Sequence, residues 1–196
     1  CAPDKKEGEG LSKIFNLHFL SVEDALSDGV ISRFADFDGY IFLTVFDVLL
    51  QGEKMFPKKL SVFFGKNFII TFCKTDFAPI DKVLKSHEGD INFFKKGHAF
   101  ILYSVLEELV DGFFPVLDNI AESIDRLETE VFSHVKKQTI SHLFKLKRKV
   151  ISFRRVVNPQ RDVIFRLSRH ENFFVSHDFL IYFGDIYNRL LRVSES

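Results

Sequence analysis

Carboxylates are the side chains of this chain best placed to do chemistry, because 27 of its 196 residues are Asp or Glu. Two carboxylates held close together can serve as a catalytic acid and base, or can bind a hard cation such as Mg²⁺ through oxygen. None of them stands beside a histidine or a nucleophile in a recognisable catalytic pattern, and the G-x-S-x-G, P-loop and G-x-G-x-x-G motifs are absent. The sequence therefore disfavours an enzyme and leaves open a cation site.

Histidine and cysteine offer little for a dedicated zinc site. The seven histidines include no H-x-x-x-H pair and no HExxH motif, which are spacings typical of zinc ligands. Cys1 and Cys73 are the only cysteines and form no C-x-x-C pair. The sequence therefore predicts neither a thiolate zinc site nor a disulfide framework.

Charge is divided between two segments in the second half of a chain whose net charge is zero. Residues 107–130 carry eight acids against one base, and residues 136–169 carry eleven bases against one acid. We favour two antiparallel helices of opposite charge that neutralise one another along their flanks. The alternative is an electrostatic device, acidic for cations or basic for phosphates and lipid head groups. Nucleic-acid binding is not predicted, because the apolar residues within KLKRKVISFRR are needed to pack the helix.

The first half of the chain contains the short elements that would position the acidic residues. Residues 1–10 predict a flexible polar tail, and residues 11–95 alternate elements typical of a small α/β sheet domain. Ser21 and Asp24 form a capping-box pattern at the start of a short helix that Gly29 would close. YIFLTVFDVLL predicts a buried strand, KKLSVFF and NFIITF predict a hairpin, and APIDKVL predicts a further short helix.

From residue 96 the apolar period changes to that of long helices. Two heptad-like seams within residues 96–172 predict an antiparallel helix pair joined by a short loop at residues 136–139. Pro115 and Pro159 predict kinks, although the second proline could instead begin a new helix. The first seam comprises Leu106, Leu109, Phe113, Val116, Ile120, Ile124, Leu127 and Val131, and the second comprises Leu143, Leu146, Val150, Phe153, Val157, Ile164 and Leu167, with Gln160 interrupting it.

A third helix is predicted at residues 173–196, where Phe183, Ile186, Leu190 and Val193 share one face. No glycine or proline follows to end it, so the sequence predicts a truncated helix. No membrane span is predicted, because the most apolar stretch is far shorter than the roughly 20 residues that a spanning helix needs. The predicted fold class is α+β: a small α/β/α layered sheet domain, then long antiparallel helices and a truncated third helix.

Five segments, in order, resemble CorA-type magnesium transport proteins. LHFLSVEDAL followed by DGYIFLTVF resembles the family's HPLxxEDxL…DYxFLxL segment, and LSVFFGKNFIITF is similar to its hairpin. YSVLEELVDGFFPVLDNIAESIDRLETEVF and LFKLKRKVISFRRVVNPQRDVIFRL resemble the first two long helices, and FLIYFGDIYNRLLRV resembles the start of the third. The resemblance runs from about Leu11 to Val193. The family's Gly-Met-Asn pore signature and part of its first strands are absent from the chain.

This resemblance implies a place in a membrane assembly. The chain would be the cytosolic, metal-sensing part of a homopentameric divalent-cation channel of the cell inner membrane, and residues 173–196 would begin a stalk that leads to membrane helices. Mg²⁺ bound weakly between subunits would favour the closed state, with Co²⁺, Ni²⁺ or Zn²⁺ as further candidate ions. Divalent cations would be the only small-molecule ligands.

The resemblance also implies which acids bind the metal. Asp24 of one subunit would face Asp185 of the next, and a second site would use Glu23, Glu107 and Asp185. Asn188 stands where many members carry another Asp, and Glu107 replaces a frequent Asp, so the sites are expected to differ from the family pattern. Asp24 and Glu23 also have a purely structural explanation, because acids in the first turn of a helix are stabilised by its dipole.

Two other functions remain open on the sequence. A zinc-transporting relative of the same family would share this architecture, so the sequence does not choose the transported ion. A non-transport coiled-coil scaffold would also explain the long helices. A hydrophobic span with Gly-Met-Asn just beyond Ser196 in the parent gene would eliminate the scaffold.

Overall fold

The structure is a computed structural model that describes residues 4–52, 54–133, 137–170 and 177–196. In chain order its elements are α1 (Lys5–Phe15), α2 (Phe19–Leu26), β1 (Arg33–Phe37), β2 (Tyr40–Gln51), β3 (Lys54–Gly65), β4 (Ile69–Phe72), α3 (Ala78–Ser86), α4 (Ile91–Lys95), α5 (His98–Asp111), α6 (Phe114–Ser133), α7 (Lys137–Arg169) and α8 (His177–Glu195).

The four strands form one antiparallel sheet in the order β1-β2-β3-β4. The long pair β2–β3 runs in register from Tyr40 opposite Gly65 to Gln51 opposite Lys54. Strand β2 is apolar on both faces because helices cover both faces of the sheet. The predicted strand, hairpin and APIDKVL helix are all present, as β2, β3–β4 and α3.

The two faces of the sheet carry separate apolar clusters. On one face, Tyr40, Phe42 and Phe63 pack with Leu17 and Val22 from the segment of α1 and α2. On the other face, alternate residues of β2 and β3 pack with α3, α5, α7 and α8 in a larger cluster. This arrangement confirms the predicted fold class, an α/β/α layered sheet with long helices.

Helix α1 corrects the prediction of a flexible tail at residues 1–10, because residues 5–10 are helical. Asp4 caps the helix by accepting from the amide of Glu7 at 2.7 Å, and the Glu7 carboxylate accepts from the amide of Asp4 at 3.0 Å. A Cβ on Gly8 would lie 3.0 Å from Val22, so the glycine permits the close packing of α1 on α2. The polar composition concealed this local capping box.

The capping box predicted at Ser21 and Asp24 is wrong. Helix α2 begins earlier, at Phe19, with the His18 ring accepting from the amide of Leu20 at 3.2 Å. The buried Ser21 hydroxyl donates to the carbonyl of His18 at 2.7 Å and is 2.8 Å from the Tyr40 hydroxyl. Asp24 therefore lies in the last turn, and Ser27 rather than Gly29 ends the helix.

The first predicted seam belongs to two helices. Helix α5 ends at Asp111 and α6 begins at Phe114, with buried Phe113 between them. Pro115 causes no kink inside a helix, because it stands in the first turn of α6, where its missing N–H has no partner to lose. Helix α7 runs unbroken for 33 residues through Pro159, so no new helix begins there.

Helices α6 and α7 are antiparallel, as predicted. Glu130 lies 3.0 Å from His142, and the Phe113 ring lies 5.9 Å from that of Phe153. Helix α7 already begins at Lys137, which corrects the end of the predicted loop; residues 134–136 lie outside the described part. From residue 121 to residue 152, the only described residue that is buried is Thr139.

Gln160 has a structural role that explains its place in an apolar seam. Strand β1 pairs with β2 only as far as Thr44, so the next outward-facing backbone groups of β2, those of Phe46, have no strand partner. The Gln160 side chain accepts from the Phe46 amide at 2.9 Å and donates to the Phe46 carbonyl at 3.0 Å. One side-chain amide thus replaces the next residue of the edge strand.

Helix α8 buries the predicted face, since Phe183, Ile186, Leu190 and Val193 are all inaccessible to solvent. It packs against α7, with Tyr187 against Phe165 at 5.2 Å, and both helices line a shared surface cavity that includes Ser168 and Leu180. No helix in the described ranges is long and apolar enough to cross a bilayer.

Candidate cation site

Asp24 is surrounded by basic side chains of its own chain. Its Oδ1 lies 3.5 Å from Lys59 Nζ and its Oδ2 lies 3.2 Å from Arg33 Nε, while 15% of its side chain is exposed. Lys59 reaches it from β3 and Arg33 from the first residue of β1. Burial lowers the pKa of Lys59, and the neighbouring Asp24 charge partly offsets this effect. The negative charge of Asp24 is therefore compensated without a metal.

Glu23 precedes Asp24 on α2 but faces solvent. It forms no ion pair with any described residue. The two adjacent acids therefore differ in availability: Glu23 is open to a ligand, whereas Asp24 is engaged.

Glu107 lies on α5 and is also paired. It accepts from the Tyr103 hydroxyl at 2.8 Å and from Arg189 of α8 at 3.1 Å. Arg189 spans two acids one helical turn apart, because its other nitrogen lies 2.8 Å from Asp111. Arg189 thereby ties α8 to α5.

Asp185 is exposed on α8, one turn before Arg189, and has no ion pair within the described residues. The charge of Asp185 contributes to the raised pKa of Tyr103 on α5. The pKa of Tyr103 is raised to about 12, first by burial, then by the hydrogen bond to Glu107 and by the charges of Glu107 and Asp185. Glu107 and Asp185 therefore lie on the two helices that meet at the α5–α8 contact, and both act on the Tyr103 hydroxyl.

The four predicted ligands form two groups separated by the sheet. Glu23 and Asp24 lie on α2, which covers the face lined by Tyr40 and Phe42, whereas Glu107 and Asp185 lie on helices of the opposite face. Across the part of the chain that is described, no three His, Cys, Asp or Glu side chains converge to hold a metal ion. A cation bound by both groups would need two copies of the chain.

Carboxylate oxygens are the ligands that Mg²⁺ prefers, so the four acids fit a hydrated dication by their chemistry. Their surroundings, however, leave the four carboxylates unequally available to a cation. Asp24 and Glu107 already contact basic side chains, whereas Glu23 and Asp185 contact none in the part of the chain that the structure describes. Sequence analysis missed all three basic partners, because each approaches its acid from a separate element: Lys59 from β3, Arg33 from β1 and Arg189 from α8.

The acidic helix α6 and the basic helix α7 lie side by side, as the predicted neutralisation requires. Glu130 lies 3.0 Å from His142, and Lys149 contacts the side-chain amide of Asn119. Neutralisation along the whole length of the two helices stays a prediction. On the basic helix four residues form no ion pair with a described residue: Lys147, Arg148, Arg154 and Arg155.

Comparison with known proteins covers nearly the whole chain. The family described as CorA-like Mg²⁺ transporter protein matches residues 2–196. The chain is 27% identical over 191 residues to the cobalt/magnesium transport protein CorA of Thermotoga maritima, which covers 95% of this chain and 54% of that protein. It is 26% identical over 193 residues to YfjQ of Bacillus subtilis, covering 98% of this chain and 60% of that protein. The chain thus spans little more than half the length of these relatives.

Solved structures share the fold at low sequence identity. The soluble domain of CorA from Methanocaldococcus jannaschii has a TM-score of 0.84 at 19% identity, covering 98% of this chain and 78% of that one. The cytoplasmic domain of ZntB from Vibrio parahaemolyticus has a TM-score of 0.75 at 19% identity, covering 95% and 74%. These likenesses establish the fold. Because the family match extends over almost every residue, this chain belongs to the CorA-like Mg²⁺ transporter protein family.

Proposed function

We propose that this chain is the cytosolic metal-sensing part of a divalent-cation channel, without catalytic activity. The observation that carries the proposal is the placement of the predicted acids in two groups on opposite faces of the sheet. Within one chain the groups cannot share an ion, but between neighbouring chains of a ring they can. The full assembly would be a homopentamer in the cell inner membrane, with this part on the cytoplasmic side and α8 leading toward the membrane.

Gating would follow from electrostatic repulsion between subunits. Asp185 of one chain and Glu23 of the next, which have no basic partner among the described residues, repel one another unless a cation lies between them, and Asp24 joins the site as a ligand when the cation binds. Mg²⁺ keeps most of its waters and needs only one or two carboxylates, so this site would be weak and would empty when the ion becomes scarce.

The energy available from five weak sites is sufficient for gating. At a concentration about five times the dissociation constant, each site that binds only the closed state contributes roughly 1 kcal/mol. Five sites supply roughly 5 kcal/mol, which is close to the difference that moves a population from 1:99 to 99:1. Loss of Mg²⁺ would then remove the stabilisation of the closed state, and the channel would open.

The test uses Asp185→Asn in the full-length protein, with Asp125→Asn as the matched control. Asp125 is an exposed acid of α6 outside both groups. We expect Asp185→Asn to raise, several-fold, the Mg²⁺ concentration that half-protects the protein from limited proteolysis, and to weaken closure by Mg²⁺ in flux measurements. Equal behaviour of the two variants would contradict the proposal.

A zinc-transporting function is the second candidate, because the cytoplasmic domain of ZntB shares the fold with a TM-score of 0.75. The gating argument is the same for either ion, since it requires only a divalent charge. Flux of Mg²⁺, Co²⁺, Ni²⁺ and Zn²⁺ through the full-length protein in vesicles would decide between the two functions.

A further inference from the structure

The contact between Asp24 and Lys59 is largely shielded from solvent. The side chains are 15% and 14% exposed, and Lys59 Nζ lies 3.5 Å from Asp24 Oδ1. Charges shielded in this way attract one another more strongly than an exposed pair does. Arg33 also contacts Asp24, but 57% of its side chain is exposed, so solvent weakens its effect.

Lys59 is held in place by more than the carboxylate. Its Nζ donates to the carbonyl oxygen of Asp24 at 2.5 Å and to that of Ser27 at 3.3 Å, and it lies 3.2 Å from the Ser27 hydroxyl. These acceptors belong to the C-terminal end of α2, where the helix dipole favours a positive charge. The ammonium group thus occupies a defined position beside the oxygen atoms that a hard cation would bind.

We propose that Lys59 is an internal counter-ion of the cation site. It neutralises Asp24 while no cation is bound, and it must be displaced before that carboxylate can become a ligand. The proposal rests on the function proposed above and concerns the cation concentration at which the site fills. Because the Asp24–Lys59 pair must be broken first, the cation binds more weakly than it would to a free Asp24. Asp185, the other acid of the first site, has no such partner within the described residues, so the competition falls on Asp24.

The test is a Mg²⁺ titration of the full-length protein in detergent, followed by protection from limited proteolysis. We expect Lys59→Gln to lower the half-protecting Mg²⁺ concentration about fivefold, which corresponds to an ion pair of about 1 kcal/mol. Lys58→Gln is the matched control, because it removes the same charge from the adjacent residue. The Lys58 ammonium donates to the carbonyl of Asp76 at 2.9 Å instead. We expect Lys58→Gln to leave the midpoint unchanged.

A second variant covers the case in which Lys59→Gln does not fold. Ser27→Ala keeps every charge but removes one acceptor of the Lys59 ammonium, so we expect the midpoint to fall about twofold, as for loss of a weak hydrogen bond. Unchanged midpoints in both variants, with a raised midpoint in Asp185→Asn, would overturn the counter-ion proposal and leave the cation site intact. An unchanged midpoint in Asp185→Asn as well would instead show that the proposed function is wrong.

Discussion

The amide of Gln160 gives the sharpest test of how the long helix is fixed to the sheet. Gln160 is 1% exposed, and its two hydrogen bonds to Phe46 join residues 114 positions apart in the chain. Gln160→Leu would keep a similar volume but leave the amide and the carbonyl of Phe46 without partners. Because Phe46 is buried, water cannot replace them.

The expected loss in the free energy of unfolding follows from the unpaired amide and carbonyl of Phe46. An unsatisfied buried donor or acceptor costs about 1–3 kcal/mol, so two cost about 4 kcal/mol. The leucine side chain returns roughly 1–2 kcal/mol through burial of apolar surface. The net loss of about 2–3 kcal/mol should lower the melting temperature by roughly 5–10 °C in a chain of this length. Gln138→Leu, at an exposed glutamine of the same helix, is the control and should change the melting temperature by less than about 2 °C.

Gln160→Glu separates hydrogen bonding from packing. A protonated carboxyl group offers one acceptor for the Phe46 N–H and one donor for the Phe46 carbonyl, as the Gln160 side chain does. A carboxylate has no donor for that carbonyl. Burial raises the pKa of such a carboxyl in the folded state, so its stabilising contribution is complete at acidic pH and is lost as the pH rises. Thermal melting should therefore show a small deficit against the wild type near pH 4 and a large one at pH 7. A deficit independent of pH, or a Gln160→Leu variant as stable as the wild type, would refute the role assigned to Gln160.

Two further predictions concern ionisable groups. Burial raises the pKa of Asp47, so the folded state loses stability as the pH rises through that pKa and the carboxyl group ionises. Asp47→Asn removes the charge but keeps an acceptor for the Val48 amide. In chemical denaturation this variant should be more stable than the wild type at pH 7 but not at pH 3. The pKa of Tyr103 is raised to about 12, so the folded state loses stability as the pH rises from 10 toward 12. The ultraviolet titration difference between the wild type and Tyr103→Phe should show ionisation near pH 12, and Asp185→Asn should lower that value; an ordinary value near 10 would mean that Glu107 and Asp185 do not face the phenol.

Elements that depend on neighbouring residues could be predicted from the sequence. The β-branched and aromatic residues of YIFLTVFDVLL are sufficient to identify β2, and the steps of three and four residues identify the buried face of α8. The misplaced start of α2 has a different origin. Ser21 fits a capping box locally, but its hydroxyl is used by Tyr40, which is 19 residues away.

Contacts that depend on the register of distant elements could not be predicted. Lys59 approaches Asp24 across 35 residues and Gln160 approaches Phe46 across 114. Both require the positions of strands and helices relative to one another, which no local pattern contains. The family resemblance identified the acids of the candidate site, but it gave no indication that Asp24 and Glu107 are already matched with bases.

The exposed outer part of the α6–α7 hairpin has a mechanical consequence. Between residues 121 and 152, Thr139 is the only buried residue among those described, so this part of the hairpin projects beyond the packed core. At 1.5 Å per residue, the portion of α7 from Lys137 to Ser152 is about 24 Å long. It acts as a lever: a tilt of about 5° at its base sweeps its tip through roughly 2 Å over that length. A slight rearrangement where these helices leave the sheet is thereby magnified at their far end.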